Sequence, residues 1–282
     1  MKPPLHLTPG QPGWPAELDE IHQPPEELWL RGRAEVLARL PRVAIVGTRS
    51  PSAYGELQAA RLATSMALHG VSVVSGLARG IDEIAHRAAL DAGGTTVAVL
   101  GSGVDRPWPE GELASRMERE GCLLSEFPPG QAPRRHHFPW RNRLIAGLSS
   151  AVVVVEAAYA SGSLITARWA VDQGRAVFAI PGRVDHPMSQ GCHRLLREGA
   201  ELLESPADLL SSLGFESTAP RERPRSSHPL LEALRGETLD ADELARRLGK
   251  NTAETLVALV ELELTGAIAR GPGGLYRLSA RR

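Results

Sequence analysis

Residues 43–80 read VAIVGTRSPSAYGELQAARLATSMALHGVSVVSGLARG. Two short apolar runs, at residues 43–46 and 71–74, lie on either side of a helix-length segment at residues 56–68. Strands that are apolar throughout, rather than at alternate positions, are buried on both faces, as in a parallel sheet covered by helices. The stretch therefore predicts a strand–helix–strand unit of a parallel α/β fold.

The same alternation continues to about residue 213. Further strands are predicted at residues 96–100, 122–124, 152–155 and 176–180. Further helices are predicted at residues 81–92, 111–120, 141–148, 164–173 and 190–198. We therefore expect the fold class to be α/β, with a Rossmann-like, doubly wound and mostly parallel sheet.

The two ends of the chain have a different composition. Residues 1–40 are rich in proline and tryptophan, which predicts an N-terminal extension that packs on the main domain with little regular structure. Residues 41–213 form the predicted Rossmann-like domain, and residues 214–228, almost without apolar side chains, form a predicted linker. Residues 229–282 contain three short helical patterns and a hairpin pattern, which together predict a winged-helix domain.

Composition restricts the classes of function. The 282 residues carry a formal net charge of −1, so a nucleic-acid site must be a local basic patch. The only lysines are Lys2 and Lys250; the arginine excess suits forked phosphate contacts, although genome composition explains it equally well. Two isolated cysteines, Cys122 and Cys192, and the absence of a signal pattern or a long apolar run predict a cytoplasmic protein without disulfides.

The loops that follow the predicted strands are rich in glycine and serine. Ligands of open parallel sheets bind beyond the carboxyl ends of the strands. These loops are residues 47–52, 75–80, 101–103, 125–126, 161–166 and 181–183. One such loop reflects only the needs of a tight turn, whereas several along one edge indicate an anion-binding rim longer than one nucleotide. Neither a Walker A motif nor a complete G-x-G-x-x-G occurs, so ATP and NAD are not predicted cofactors.

The most informative loop is PRRHHFPWRNR, residues 133–143. It lies in a stretch without acidic residues, 127–155, and combines four arginines and two histidines with Phe138 and Trp140. Cations for phosphates and aromatic rings for bases are typical of single-strand binding. An alternative is that the arginines pair with Glu126 and Glu156 while Trp140 lies in the core.

Residues for catalysis are poorly represented. Asp82, Asp105, Glu126 and Glu156 are scattered single acids, and no metal-ligand spacing occurs. His86 has the chemistry of a base, but a hydrogen-bonded helix histidine is the more frequent case. The sequence therefore predicts a binding protein rather than an enzyme, without a catalytic residue, metal or cofactor.

Several motifs together resemble the DprA/Smf family of DNA-processing proteins. They include VAIVGTRSPSAYG (43–55), SGLARGIDEIAHRAAL (75–90), FPWRNR (138–143), SGSLIT (161–166) and SQGCHRLLREGA (189–200), and the match runs from about residue 14 to 210. The resemblance implies an extended Rossmann fold that binds single-stranded DNA, forms homodimers and loads the RecA recombinase in natural transformation and homologous recombination. It also implies a short form without the N-terminal helical domain of many members.

The resemblance also implies which residues bind DNA. Carried over motif by motif, they are Arg49, Ser50, Gly76, Ala78, Gly80, Phe138, Arg141, Asn142, Arg143, Ser161, Gly162 and Thr166. Arg141 and Arg143 fall on different sides of a predicted helix, so we expect at least one of them to reach the ligand while the other can be structural. Candidates for the dimer face are Leu195, Leu196 and Leu202, which are equally consistent with the core.

Two other functions remain open at this point. The first is a Rossmann-type enzyme that hydrolyses nucleotides, although its P-G-G-x-G-T-x-x-E stretch is missing. The second is a winged-helix transcription regulator whose α/β domain senses a ligand. Against the second, the last helix carries Glu254, Glu261 and Glu263 without a positive charge, so we expect that it does not read duplex DNA. Arg246, Arg247 and Lys250 leave a weaker electrostatic route open.

Overall fold

The computed structural model describes residues 3–215 and 228–279. The chain divides into two compact units, which are described separately. The first consists of Met1–Pro51 and Gln58–Glu216, and the second of Ser52–Leu57 and Ser217–Arg282. The predicted linker lies mostly outside the described residues.

The N-terminal extension contains regular structure, contrary to the prediction from its composition. Strand β1 (Leu5–Leu7) pairs antiparallel with strand β2 (Leu28–Gly32). In β2, the side chains of Leu28 and Leu30 are fully buried in the core. Trp29 and Arg31, at the alternate positions, lie on the opposite face and are partly exposed. Pro12, Pro15, Pro24 and Pro25 lie in the segment between these two strands. Their missing N–H groups therefore remove no hydrogen bond from the strand pairing.

The six predicted strands all form. They are β3 (Arg42–Val46), β4 (Ser72–Ser75), β5 (Thr96–Val99), β6 (Cys122–Ser125), β7 (Ala151–Val154) and β8 (Ala176–Ala179). A two-residue strand that the sequence did not predict, β9 (Glu201–Leu202), follows them. Among the described residues, β1 to β9 form one sheet of order β1-β2-β6-β5-β4-β3-β7-β8-β9, antiparallel at β1 and β2 and parallel elsewhere.

The strand order reverses between β3 and β7. From β3 the chain builds β4, β5 and β6 outward in one direction, and then returns to place β7, β8 and β9 on the other side of β3. Such a reversal separates the two loops that leave β3 and β7, and it opens a crevice at the carboxyl ends of these strands.

Helices cover both faces of the sheet. They are α1 (Ala53–Leu68), α2 (Ile81–Asp91), α3 (Glu112–Glu120), α4 (His137–Gly147), α5 (Ser163–Asp172), α6 (Gln190–Arg197) and α7 (Pro206–Ser212). In β5, Val97 packs in the cluster with α4 and α5, while the next residue, Ala98, packs in the cluster with α3. The sheet is therefore doubly wound, as predicted.

Helix α4 begins four residues earlier than predicted. Its first turn contains Pro139, a residue type that sequence reasoning treats as a helix breaker. Proline is tolerated in the first turn because the N–H that it lacks has no partner within the helix there. The early start extends α4 back through Phe138 to His137, so these side chains have helical positions.

The second unit has the predicted winged-helix organisation. Its helices are α8 (Pro229–Ala233), α9 (Ala241–Leu248) and α10 (Thr252–Leu264), and its hairpin is β10 (Ile268–Arg270) with β11 (Tyr276–Leu278). Leu230, Leu244, Leu259, Ile268 and Tyr276 form its small core. None of the helices in the described parts of the chain is long and apolar enough to cross a bilayer.

Candidate nucleic-acid interface

A cleft of about 880 Å³ opens at the reversal of strand order. Three segments line most of it: the loop 47–50 after β3, the segment 158–166 that leads into α5, and the first turns of α4, residues 138–142. Its volume is that of a site for a ligand of nucleotide size. The cleft lies where ligands of doubly wound sheets bind.

The two loops on either side of the reversal are tied together at their bases. The Thr48 N–H donates to the Glu156 carbonyl, with an N–O distance of 2.7 Å. A Cβ on Gly47 would lie 2.6 Å from Cγ1 of Ile81 and 3.0 Å from the Glu156 carbonyl oxygen, so only glycine permits this close approach. The backbone after β3 thus leaves the sheet in a fixed direction, toward the cleft.

Nine of the twelve predicted DNA-binding residues line this cleft. They are Arg49, Ser50, Ala78, Phe138, Arg141, Asn142, Ser161, Gly162 and Thr166. These residues come from four separate segments of the chain, and the topology brings them to one crevice.

Gly76 and Gly80 lie behind the cleft and support it. The Gly76 carbonyl accepts from Nη1 of Arg141 at 2.9 Å, and a Cβ at Gly76 would collide with the same guanidinium. Gly80 precedes α2 with a φ of +84°, and a Cβ there would collide with the Thr48 carbonyl and the Arg49 backbone. Both glycines therefore allow close approach of the arginine-bearing segments.

Arg143, the remaining predicted residue, does not lie in the cleft. Its Nη1 is 2.6 Å from Oε1 of Glu126, its Nε donates to the Gln23 carbonyl at 2.9 Å, and its guanidinium lies 4.3 Å from the ring centre of Trp140. The side chain is buried and held by these contacts, so its placement favours a structural role, and a direct contact with DNA stays a prediction. For this arginine, the structure agrees with the alternative that the arginines of residues 133–143 pair with acidic residues such as Glu126. Trp140, which that alternative places in the core, is exposed.

Arg141 is a buried cation in the wall of the cleft. Its Nη1 donates to the carbonyl oxygens of Gly76 and Val99, and its Nε donates to Oδ1 of Asn142 at 3.1 Å. These contacts fix the guanidinium across the ends of β4 and β5. They also orient Asn142, whose Nδ2 lies 3.4 Å from the Gly162 carbonyl on the opposite wall.

Asp82, a further residue of the cleft lining, interacts electrostatically with Arg141. Burial lowers the pKa of Arg141 to about 10, while the Asp82 carboxylate opposes this shift and the Arg49 cation adds to it. Burial raises the pKa of Asp82, against the effect of Arg141 and of the Gly76 N–H, which donates to Oδ2 at 3.1 Å. Arg141 thus remains a cation at neutral pH.

The outer part of the cleft carries exposed cations. Arg49 and Arg135 both line it and are exposed, and neither forms an ion pair with any described residue. Elsewhere in this unit some exposed arginines are paired, such as Arg33 with Glu35, and others, such as Arg61 and Arg79, form no ion pair with a described residue, so what distinguishes Arg49 and Arg135 is their position in the cleft. Unpaired arginines at a concave surface are suited to phosphate groups.

Trp108 is a cleft residue that sequence reasoning missed. It lies in the loop that follows β5, and 56% of its surface is exposed although it is a large apolar side chain. The sequence signal for it is its position shortly after the Gly-Ser-Gly of residues 101–103, in a loop that follows a strand of the parallel sheet. Its ring and that of Phe138 provide two flat surfaces in the same cleft.

Few titratable side chains line the cleft in the part of the chain that is described. Asp82 is its one lining carboxylate, and no group of three or more His, Cys, Asp or Glu side chains could hold a metal ion. His86 is fully buried away from the cleft, with Nδ1 2.7 Å from Oγ1 of Thr96. Burial lowers the pKa of His86 to about 3, which suits a structural hydrogen bond rather than a base at neutral pH.

The chain matches two family models. Residues 6–214 match the model of DNA recombination-mediator protein A, and residues 206–274 match the DprA winged helix domain. The chain is 40% identical to Protein Smf of Escherichia coli over 294 aligned residues, which span 98% of this chain and 78% of that protein. The chain belongs to the DprA/Smf family.

Two further members of the DprA/Smf family have related sequences or structures. DNA processing protein DprA of Streptococcus pneumoniae is 43% identical over 72% of each chain, and its X-ray structure superposes with a TM-score of 0.70 over 73% of each chain. A structure of DNA processing protein A from Helicobacter pylori, described for its single-stranded DNA binding mode, is 30% identical with a TM-score of 0.67, over 74% of this chain and 95% of that one. The family is one of DNA processing and recombination.

Proposed function

We propose that this protein binds single-stranded DNA in the cleft between β3 and β7. The observation that carries the proposal is the convergence of nine motif residues on one crevice, together with the unpaired cations Arg49 and Arg135. The DNA-binding mode described for the relative from Helicobacter pylori agrees with this function. Arg141 and Asn142 supply further donors on the wall.

The side chains of the cleft favour a flexible strand over a duplex. Trp108 and Phe138 offer ring faces on which unpaired bases can stack, and these faces are closed to bases that remain paired within a duplex. The lining also includes arginine side chains and loops that contain glycine and serine, which supply guanidinium and backbone N–H donors for phosphates. We therefore expect a strong dependence on salt and little dependence on base sequence.

We also propose that the protein is a homodimer that loads the RecA recombinase onto DNA without an enzymatic activity of its own. The family assignment to recombination mediators supports the recombinase role. Of the candidates for the dimer face, Leu195 and Leu196 pack partly against the core, whereas Leu202 is half exposed on β9 at the sheet edge. We accordingly assign dimerisation to the edge around Leu202.

We propose that the protein is located in the cytoplasm. Both Cys122 and Cys192 are free thiols buried in the domain, which agrees with a reducing compartment. Burial raises the pKa of each thiol to about 12, so neither is suited to redox exchange.

A titration with labelled oligothymidylate tests the DNA proposal. Arg49→Ala with Arg135→Ala removes two exposed cations of the cleft, and Arg119→Ala, on the exposed surface of α3, is the matched control. We expect weaker binding for the double variant and a flattening of log K against log salt by about 0.7 for each arginine. If the wild type, the double variant and the Arg119→Ala control have equal affinities and equal slopes of log K against log salt, the cleft is excluded as the binding site.

A panel of nucleotides tests the absence of enzymatic activity. Nucleoside monophosphates are incubated with the full chain, and release of free base is measured by chromatography. We expect no release above that of an Asp82→Asn variant, because Asp82 is the one carboxylate that lines the cleft among the described residues. Release that depends on Asp82 would favour the nucleotide-hydrolysing alternative.

A further inference from the structure

Helix α10 of the winged-helix unit is apolar on two opposite faces. One face, with Thr255 and Leu259, is buried against the small core. The other carries Leu256, Val257, Val260 and Leu264, which are between 40% and 83% exposed. A surface helix of a globular domain normally has a polar outer face, whereas a helix that is apolar all round is buried on both sides. The outer face of α10 thus has the composition of a covered surface.

The exposed apolar residues form one continuous stripe. At 100° per residue, Val257, Val260 and Leu264 are spaced i, i+3 and i+7 and fall on the same side of the helix, with Leu256 next to them. We refer to these four residues as the α10 stripe. Spacing of this kind is that of helix anchors that fit a second helix.

Acidic side chains border the α10 stripe on both sides. Glu254 and Glu261, seven residues apart, lie along one border, and Glu263 lies along the other. In the described parts of the chain, none of the three forms a salt bridge, so their charges are available to a partner. The nearby arginines of α9 do not supply that partner, because Arg246 and Arg247 are paired with Glu243.

This charge pattern excludes two occupants. Phosphates of a duplex would face Glu254, Glu261 and Glu263 at the position where a DNA-reading winged helix is basic. A second copy of α10 laid on the first would bring the same three glutamates against their equivalents, and like charges across an interface oppose association. What remains complementary is an apolar surface with basic borders.

We propose that the α10 stripe binds an amphipathic helix of a partner protein, with apolar residues at i, i+3 or i+4 and i+7 and with lysine or arginine on both borders. The apolar side chains supply the buried area, and the border charges select the partner and its orientation. The site lies within the winged-helix unit and is independent of the DNA cleft. It gives the winged-helix unit a protein-binding function in place of DNA reading.

Two labelled peptides test this proposal with the full chain. The first is an amphipathic helical peptide with leucine at positions a and d of each heptad and lysine at e and g; the second is the same peptide with glutamate in place of lysine. Fluorescence anisotropy should detect binding of the lysine peptide and not of the glutamate peptide. The double substitution Val257→Lys and Val260→Lys should weaken binding of the lysine peptide about tenfold or more, because the buried apolar area is lost.

A charge exchange gives the sharper result. Glu261→Lys with Glu263→Lys leaves the α10 stripe intact and should transfer the preference to the glutamate peptide. Both double variants change exposed side chains, and an unchanged melting curve with unchanged oligothymidylate binding will confirm that they are folded.

Three outcomes would overturn the proposal. One is equal binding of the lysine peptide to the wild type and to the Val257→Lys, Val260→Lys variant, since the peptide is then held by charge elsewhere. Another is no binding of either peptide to the wild type. The third is a smaller oligomer for the valine variant in sedimentation, which assigns the stripe to contacts between copies of this chain.

Discussion

The guanidinium of Arg143 lies with Nη1 2.6 Å from Oε1 of Glu126, and both side chains are withdrawn from the solvent and from the cleft. Two arginines of the same helix, only two positions apart, therefore have different roles. Arg141 lies in the cleft wall, while Arg143 joins α4 to the end of β6 and, through the Gln23 carbonyl, to the N-terminal extension.

Arg143→Met should destabilise the fold and leave the DNA affinity of the folded protein nearly unchanged. The substitution keeps much of the apolar volume but leaves the Glu126 carboxylate buried without its partner, a loss of about 3–5 kcal/mol for a buried pair. Urea denaturation measures the free energy of unfolding, and an oligothymidylate titration measures affinity under folded conditions. A stable variant with lost DNA binding would assign Arg143 to the cleft after all.

Arg141→Lys should weaken DNA binding although it retains a positive charge. An ammonium group cannot reproduce the forked contacts to the Gly76 and Val99 carbonyl oxygens together with the contact to Asn142. The wall would lose its fixed donor arrangement, which we expect to weaken binding several-fold. Wild-type affinity in the oligothymidylate titration would show that only the charge at this position matters.

Trp108→Ala should reduce affinity for single strands by about 1–3 kcal/mol if one base stacks on this ring. Trp108→Phe is the matched control, because it retains a flat aromatic surface at the same position and should retain most of the affinity. The side chain is exposed, so neither change should alter the melting temperature appreciably. Equal losses for alanine and phenylalanine would argue against stacking.

Gly80→Ala should cost more stability than Gly93→Ala. Both glycines have positive φ, +84° and +72°, so both substitutions introduce backbone strain of about 1–3 kcal/mol. Only at Gly80 does the new Cβ also meet backbone atoms of Thr48 and Arg49, whereas at Gly93 nothing lies within 4 Å. Denaturation curves compare the two, and a weaker DNA affinity is expected for Gly80→Ala alone, since it displaces the Arg49 loop.

His86 should make the protein less stable in mild acid. Burial lowers its pKa to about 3 from the ordinary value of 6.5, so between these values the unfolded chain holds a proton that the folded protein does not. The free energy of unfolding is then highest above pH 6.5 and falls as the pH decreases toward 3. His86→Gln should reduce the slope of stability against pH by about one proton in this range, and an unchanged slope would contradict the assignment.

The central sheet could be predicted because its signal is local. Each of the strands β3 to β8 contains a short apolar run, as expected of a strand that is buried between two layers of helices. The prediction was wrong for the N-terminal extension, because β1 and β2 are held by pairing with a distant partner, β6, rather than by their own pattern. The edge strand β9 has only two residues, too few for any periodicity.

The candidate site was predictable at the level of loops and not at the level of side chains. Loop positions follow from topology, because the carboxyl ends of parallel strands share one edge. Whether Arg143 faces the cleft or Glu126 depends on the direction of each side chain around α4, and that depends on where the helix begins. The early start at His137 could not be inferred, because Pro139 obscured it.

Photocrosslinking locates the DNA most directly. Full-length protein is irradiated with single-stranded DNA that contains bromodeoxyuridine, and the crosslinked peptides are identified by mass spectrometry. We predict crosslinks at Trp108 and Phe138, the aromatic side chains of the cleft, and their loss in the presence of excess unlabelled oligothymidylate. Crosslinks confined to residues 229–279, with none in the cleft, would contradict the account.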